Sequence, residues 1–203
     1  MTLNKYFYKN KQGIYTEGFI GDKEQSSILF ILREPNSQGE LADTFWFKDI
    51  VHKQESNNKY FRVLGKIASI LLCGNDYAKA LKKCCYINLY PVKGYGGASK
   101  EYSIERRGFG DRKENYNRWD IINNLPDCSV IVTLVDIYEQ IKKNVIWQEN
   151  DKSIYISTKS IKNKKFESLR FINTSGNRIT VYSIYHPASK GKYAYNEEGI
   201  IIK

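Results

Sequence analysis

Three short polar segments in this 203-residue sequence lie at or near the ends of runs of apolar, β-forming residues. They are Glu34-Pro35-Asn36, Asn88, and His186-Pro187-Ala188-Ser189. A carboxylate can orient water and stabilise a cation, an amide offers both a hydrogen-bond donor and an acceptor, and an imidazole can stabilise a departing anion. Because ligands bind at the carboxyl ends of the strands in open α/β sheets, we expect the three groups to converge on one crevice.

Four apolar runs predict the strands that position these residues. They are continuous and rich in β-branched and aromatic residues, which is typical of strands buried on both faces. They span residues 27–32, 84–90, 129–134 and 179–185. Helical patterns lie between them, at residues 60–72, 113–125 and 136–143, and a polar, lysine-rich hairpin is expected between residues 153 and 178. The alternation predicts one α/β domain over residues 1–203, with a central, mostly parallel four-stranded sheet and helices on both faces.

The composition is strongly basic. There are 32 Lys and Arg against 22 Asp and Glu, a net charge of +10. Such an excess attracts polyanions, with nucleic acid as the first candidate partner and an acidic membrane surface as the second. A basic protein with no such partner would carry the same charge. The longest apolar run is far too short to cross a bilayer, and the first residues lack the apolar core of a signal peptide. We therefore expect a cytoplasmic protein without a membrane partner.

The cysteines give no metal-binding spacing. They are Cys73, Cys84, Cys85 and Cys128. None forms a CxxC pair, and the chain has two histidines, His52 and His186. No zinc constellation follows from this spacing. The sequence predicts reduced cysteines in the core, with no metal ion and no iron–sulfur cluster.

In their order and spacing, the three polar segments resemble the motifs of the uracil-DNA glycosylase superfamily. That family's first motif is a strand followed by Gly-x-Asp-Pro or Gly-x-Asn-Pro, where this chain has Leu32-Arg33-Glu34-Pro35. Its middle strand ends in an asparagine that reads the base, as in Tyr86-Ile87-Asn88-Leu89, and its last motif is a strand ending in His-Pro-Ser, matched by residues 185–189. The resemblance covers residues 27–189. It implies a monomeric, cofactor-free DNA glycosylase that hydrolyses the N-glycosidic bond of a flipped pyrimidine-type base and leaves an abasic site.

The resemblance also implies a role for each site residue. Glu34 would orient the attacking water and stabilise the sugar cation. His186, as a neutral imidazole, would hydrogen-bond O2 of the base as negative charge develops there. Phe47, beyond the first motif, would stack on the flipped base, and Asn88 would read the pyrimidine edge.

Loops beside the strand ends supply the expected DNA contacts, since basic and hydroxyl side chains there can hold the phosphates that flank the target base. These residues are Lys93, Ser189, Lys190 and Lys192. In the family the segment after His-Pro also enters the DNA minor groove. The partner implied is therefore DNA with a modified or damaged base, and no obligate protein partner is implied.

Three departures from the family pattern bear on the substrate. Leu32 replaces the family's glycine, and Glu34 is one carbon longer than aspartate. Asn36 stands where many uracil-specific members carry a tyrosine that blocks 5-substituted pyrimidines. Our hypothesis is that the base-binding pocket, with Asn36, accepts a pyrimidine substituted at carbon 5, including modified phage bases. Base-excision repair and defence against phage are both compatible settings.

Two other functions fit the same residues. A non-catalytic nucleic-acid-binding module on the same fold would keep the charge but would not need Glu34 and His186. A hydrolase of free nucleosides or nucleotides would need the site but not the charge. Each residue alone also fits a structural role: Glu34 as a solvated charge, Asn88 as a strand-end cap and His186 as a turn residue.

Overall fold

The structure, a computed structural model, describes residues 18–19, 27–32, 59–88, 119–148, 155–161 and 164–187. Within these ranges it has seven strands: β1 Gly18–Phe19, β2 Ile28–Leu32, β3 Cys85–Asn88, β4 Ser129–Leu134, β5 Tyr155–Ile161, β6 Lys164–Ile172 and β7 Arg178–Ile184. The helices in the same ranges are α1 Lys59–Leu71, α2 Tyr77–Leu81, α3 Trp119–Asn123 and α4 Val135–Gln148.

The strands form one mixed sheet in the order β1-β3-β2-β4-β7-β6-β5. The four middle strands, β3, β2, β4 and β7, are parallel, and they are the four strands that the apolar runs predict. The predicted size of the sheet is wrong, because antiparallel neighbours extend it at both edges: β1 beside β3, and the β6–β5 hairpin beside β7. The hairpin between residues 153 and 178 is confirmed. Its polar, lysine-rich sequence does not predict that β6 also pairs with β7.

Burial changes from the centre of the sheet outwards. Every residue of β2 is at most 2% exposed, so both faces of the sheet are covered there. This explains why its sequence is a continuous apolar run. On β6, Leu169 and Phe171 are buried, whereas Arg170 and Ile172 are exposed. The β6–β7 side of the sheet therefore has one covered and one open face.

The helix predicted at residues 60–72 is α1. Phe61, Leu64 and Ala68 recur at helical spacing and are all buried, as expected for an amphipathic helix. The helix ends in a Schellman motif, because Gly74 N–H donates to the Ser69 carbonyl at 2.8 Å and Cys73 N–H donates to the Ile70 carbonyl at 3.2 Å. Of the segment predicted helical at 113–125, the structure describes residues 119–125 and has α3 there. The helix predicted at 136–143 is longer, since α4 runs to Gln148.

The cysteines divide into two pairs. Cys84 and Cys85 are fully buried and reduced, as predicted. The core prediction is wrong for Cys73 and Cys128, which are exposed. Both occupy turns with left-handed backbone, at φ values of 55° and 62°. Their neighbours in the sequence, Gly74 and Asp127, are residue types that are common in turns. No helix in the described ranges is long and apolar enough to cross a membrane.

Candidate functional site

The parallel strands end level with one another. Ile31 pairs with Ile87 on one side and with Thr133 on the other, and Thr133 pairs in turn with Ser183. One residue later all four strands end. The chain therefore leaves them along a single line, which we call the carboxyl edge. The strand ends on this line are Asn88, Leu32, Leu134 and Ile184.

The strand order reverses in the middle of this edge. From β2 the chain moves to β3 on one side, and from β3 it returns to β4 on the other side of β2. Such a reversal is a topological switch point, where diverging connections open a ligand crevice. In the sequence, Glu34 and Asn36 follow the end of β2 by two and four residues. Both lie outside the described residues, so their roles stay predictions.

His186 lies at the end of β7, two residues beyond Ile184. Its side chain is exposed, while Tyr185 before it is half-buried and Pro187 after it is buried. The buried proline fixes the backbone here, because its ring is packed and its φ angle is locked. The imidazole is thus presented to solvent at the carboxyl edge from an anchored segment.

Asn88 is the last residue of β3, and its Cα is paired with that of Leu32 on β2. For Asn88 the structure describes the backbone alone. Neighbouring strands are about 4.8 Å apart, so β2 and β7, with β4 between them, are about 10 Å apart. The backbone thus brings Asn88 next to the end of β2. The segment of His186 follows β7, which is two strands from β2 on the other side. Of the other predicted site residues, Phe47, Lys93, Ser189, Lys190 and Lys192 lie outside the described residues.

One ionisable residue at this edge was missed from the sequence. Asp136 is two residues beyond the end of β4, is exposed, and lies in the first turn of α4. A carboxylate is favourable there because it faces the positive end of the helix dipole. A signal was available, since Glu34 and Asp136 each follow a predicted strand end by two residues, and His186 follows one directly.

Two buried hydroxyls fix the strands just below the carboxyl edge. The Thr133 hydroxyl on β4 donates to the Ile31 carbonyl on β2 at 2.7 Å. The Ser183 hydroxyl on β7 accepts from Glu167 N–H at 2.9 Å and donates to the Glu167 carbonyl at 3.1 Å. Each bond is worth about 1 kcal/mol. Together they tie β2 to β4, and β7 to β6, one residue before the strands end.

The Glu167 carboxylate is buried between β6 and α4. It is 3.5 Å from the Lys142 ammonium, which lies 5.9 Å from the centre of the Tyr138 ring. The Tyr138 hydroxyl is buried, with no hydrogen-bond partner in the described part of the chain. Burial, together with the nearby carboxylates of Glu167 and Glu139, raises the pKa of Tyr138 well above its usual value, so the phenol stays neutral. The backbone N–H of Glu167 also bonds the Ser183 hydroxyl on β7, so this buried cluster lies beside the last residues of β7.

The opposite edge, where the parallel strands begin, is closed by a polar turn between β6 and β7. Asn173, 5% exposed, donates from Nδ2 to the Ile122 carbonyl at 2.8 Å. Its Oδ1 accepts from the N–H groups of Ser175 at 3.1 Å and Asn177 at 2.9 Å. Asn177 donates from Nδ2 to the Leu125 carbonyl at 2.8 Å. The turn is therefore bonded to α3 and to the segment that links α3 to β4. We call this side of the sheet the amino edge.

An exposed ion pair lies at the same amino edge. The Asp127 carboxylate accepts from Arg178 N–H at 2.7 Å and from Arg178 Nε at 3.0 Å. These hydrogen bonds hold the pKa of the Asp127 carboxyl well below its usual value. The pair connects the start of β4 to the start of β7.

No group of three or more His, Cys, Asp or Glu side chains that could hold a metal ion occurs among the residues with described structure. Comparison with family models, with curated proteins and with solved structures gives no match. The function must therefore be inferred from the topology and from the residues at the carboxyl edge.

Proposed function

We propose that this protein is a DNA glycosylase of the uracil-DNA glycosylase type. It flips a pyrimidine-type base out of DNA and hydrolyses its N-glycosidic bond, leaving an abasic site. The observation that carries the proposal is the common carboxyl edge: the strands before Glu34 and His186, and the strand ending in Asn88, are parallel and end level with one another. This is the arrangement that a single site from three distant segments requires.

The fold proposed is a parallel sheet with helices on both faces. Crossover connections between parallel strands are almost always right-handed. The connection from β2 to β3 and the connection from β3 to β4 run in opposite directions across the sheet. The rule therefore assigns α1 and α2 to one face and α3 and α4 to the other. The complete burial of β2 supports this layering.

In the proposed reaction, the bond between sugar C1′ and the base nitrogen breaks and its electron pair leaves with the base. Glu34 stabilises the positive sugar and orients the water whose oxygen bonds to C1′, and the water proton passes to the carboxylate. His186 donates a hydrogen bond to O2 of the departing base, as a donor in an oxyanion hole does. The base is then protonated by solvent.

Base recognition is assigned to three other residues. Phe47 stacks on the flipped base, and Asn88 hydrogen-bonds its pyrimidine edge. Asn36, which follows β2 at the switch point, leaves room for a substituent at carbon 5. The spacing of about 10 Å between β2 and β7 leaves space for one base between carboxylate and imidazole. The charge of +10 supports a nucleic-acid substrate, with Lys93, Ser189, Lys190 and Lys192 as its flanking contacts.

The test is to incubate the protein with DNAs that carry uracil, 5-hydroxymethylated pyrimidines or phage-type modified bases. Alkaline cleavage detects abasic sites, and mass spectrometry identifies the freed base. We expect release of a 5-substituted pyrimidine. Release of plain uracil alone would refute the role of Asn36, and release of no base from any DNA would refute the proposed function.

The matched control for Glu34→Gln is Asp136→Asn, which neutralises the carboxylate at the equivalent position after β4. We expect Glu34→Gln to lower base release by about 100-fold or more while DNA binding is kept. Asp136→Asn should leave the rate within a few-fold. The reverse result would assign the reaction to a different carboxylate. Equal activity on free nucleosides, insensitive to salt, would indicate a nucleoside hydrolase instead.

A further inference from the structure

The β5–β6 hairpin extends past the carboxyl edge beside the β7 end. On β6, Ser168 lies opposite Tyr182 of β7, and the two strands are antiparallel. The start of β6, Lys164, is four residues from Ser168, whereas β7 ends two residues after Tyr182. At about 3.4 Å per residue, β6 therefore reaches about 7 Å beyond β7. β5 pairs with it along the whole of this length, to Ile161 opposite Lys164.

We call the end of this hairpin, residues 159–161 of β5 paired with residues 164–166 of β6, the basic arm. It carries three lysines: Lys159, Lys164 and Lys165. No Asp or Glu occurs between residues 157 and 166, and the next acid along β6, Glu167, is buried and paired with Lys142. Within its own sequence the arm therefore carries positive charge alone, at the same edge as His186.

The register divides these lysines between the faces of the arm. Lys159 pairs with Phe166 and Lys164 with Ile161, while Lys165 pairs with Ser160. Since side chains alternate along a strand, Lys159, Lys164 and Phe166 share one face and Lys165 lies on the other. The first face is continuous with the exposed Arg170 further along β6. Cationic and aromatic residues interleaved on one strand face favour a nucleic-acid backbone with its bases.

Protection of the sheet edge is the structural alternative, since lysines on an edge strand hinder edge-to-edge aggregation. It applies to Lys159 on the edge strand β5, and also to Lys164 and Lys165, because the pairing of β6 with β7 covers only Ser168 to Ile172. Edge protection and polyanion binding differ in one measurable respect: only polyanion binding makes the affinity for DNA depend on these lysines.

We propose that the basic arm binds the phosphate backbone of nucleic acid on the His186 side of the crevice, next to the target base. The partner is a nucleic acid rather than a lipid surface, because the arm borders the crevice in which a base is proposed to bind. This inference rests on the proposed function, which gives the position of the target base. The binding of DNA by the basic arm can nevertheless be measured without any catalysis.

The experiment compares two triple variants that each lower the net charge by three. One is Lys159→Gln, Lys164→Gln and Lys165→Gln in the arm. The matched control is Lys79→Gln, Lys82→Gln and Lys83→Gln, just before the start of β3 at the amino edge. The dissociation constant for a fluorescent duplex is measured between about 50 and 200 mM salt.

We expect the arm variant to bind about tenfold or more weakly at low salt, and its log–log salt slope to fall by about 0.9 for each phosphate that the arm no longer neutralises. The dissociation constant of the control variant should stay within about twofold of the parent value, and its salt slope should not change. The single variant Lys164→Gln should show about one third of the change in slope, and it provides the test if the triple variant does not fold.

Equal losses in both triple variants would overturn the proposal, since only overall charge would then matter. So would loss of binding to phosphatidylserine vesicles with DNA binding unchanged. Failure of the proposed function gives a different result: the parent releases no base, yet its DNA affinity still depends on the basic arm.

Discussion

The two edges of the parallel sheet use polar residues in opposite ways. At the amino edge, the side chain of Asn173 is hydrogen-bonded to α3 and that of Asn177 to the chain between α3 and β4, and Asp127 is bonded to Arg178. At the carboxyl edge, the side chains of Asp136 and His186 are exposed. Aspartate thus occurs at both edges: Asp127 bonds the start of one strand to the start of another, whereas Asp136 lies exposed in the first helical turn after β4.

The difference shows that residue type alone does not identify a site. Asn173 is a buried amide with three hydrogen bonds from its side chain, and its role is to hold a turn. What separates it from the residues proposed to act is its position in a parallel sheet, because connections diverge at the carboxyl ends of the strands and leave a crevice there.

The largest expected effect is on the rate of base release, which should fall for a substitution at the carboxyl edge but not for one at the amino edge. His186→Ala should lower the rate of base release by about 100-fold or more. Its free energy of unfolding should change by less than that of Asn173→Ala, because the His186 side chain is exposed and the Asn173 side chain is buried. Asn173→Ala should release the base at close to the parent rate below its melting temperature. Single-turnover assays give both rates, and a large loss in Asn173→Ala alone would reverse the assignment of the edges.

The next effect is on stability and appears at the amino edge. Asn173→Ala removes three side-chain hydrogen bonds and leaves the Ile122 carbonyl with only the longer bond from Leu125 N–H, at 3.5 Å. We expect a loss of about 2–3 kcal/mol in the free energy of unfolding, measured by urea denaturation. Thr174→Ala changes an exposed residue of the same turn and is the control, with a change below about 0.5 kcal/mol. Equal losses would show that the Asn173 bonds do not hold the turn.

A smaller effect is expected just below the carboxyl edge. Thr133→Val keeps the side-chain shape but removes the bond to the Ile31 carbonyl, which should cost about 1–2 kcal/mol. Because this bond fixes β2 against β4 at the switch point, the rate of base release should also fall. A stability loss without any change in rate would mean that the spacing of these strands does not matter for the site.

Backbone conformation gives an effect of about 1 kcal/mol at the amino edge. Gly176 has a φ of +80°, and a Cβ there would meet no atom within 4 Å. Gly176→Ala should therefore lose about 1 kcal/mol through backbone strain alone. Gly74→Ala is the control, since its Cβ would meet only the Ser69 carbonyl oxygen, at 4.0 Å. Thermal unfolding compares the two, and a larger loss at Gly74 would contradict the assignment of strain to Gly176.

The smallest effect is the pH dependence of the exposed Asp127–Arg178 pair. The folded-state pKa of Asp127 is lowered below the ordinary carboxyl value of 3.8. Its contribution to stability is therefore complete above that value and is lost as the pH falls towards the folded-state pKa. Between about pH 5 and pH 2.5, the parent should lose slightly more stability than Asp127→Asn. Identical pH profiles in urea denaturation would show that the pair contributes nothing in solution.

Much of the sheet follows from the sequence because buried parallel strands are continuous apolar runs. All four such runs are parallel strands, and their ends position the candidate residues. The elements that the sequence does not reveal lie where local pattern is weak. β6 carries Lys164, Lys165 and Glu167 beside apolar residues, so only its pairing with β7 reveals it as part of the sheet. α2, with five residues, is too short for a helical period to stand out.

The candidate site is less predictable than the sheet, because polar residues at strand ends fit capping and catalysis equally well. The sequence predicts which residues follow each strand, but not that the four strands end level with one another or that the hairpin extends beside His186. Both depend on pairing register, which is fixed by contacts between residues far apart in the chain. Cys128 shows the same limit, since its left-handed turn is set by the chain around Asp127 rather than by cysteine itself.

The central claim is that Glu34 and His186 face one cavity, and a crystal structure with a DNA oligonucleotide tests it most directly. We predict the carboxylate and the imidazole on the same side of the carboxyl edge, about 10 Å or less apart, with one base between them and Asn88 within hydrogen-bond distance of it. A Glu34 carboxylate on the far side of the sheet from His186, with the DNA bound elsewhere, would contradict it.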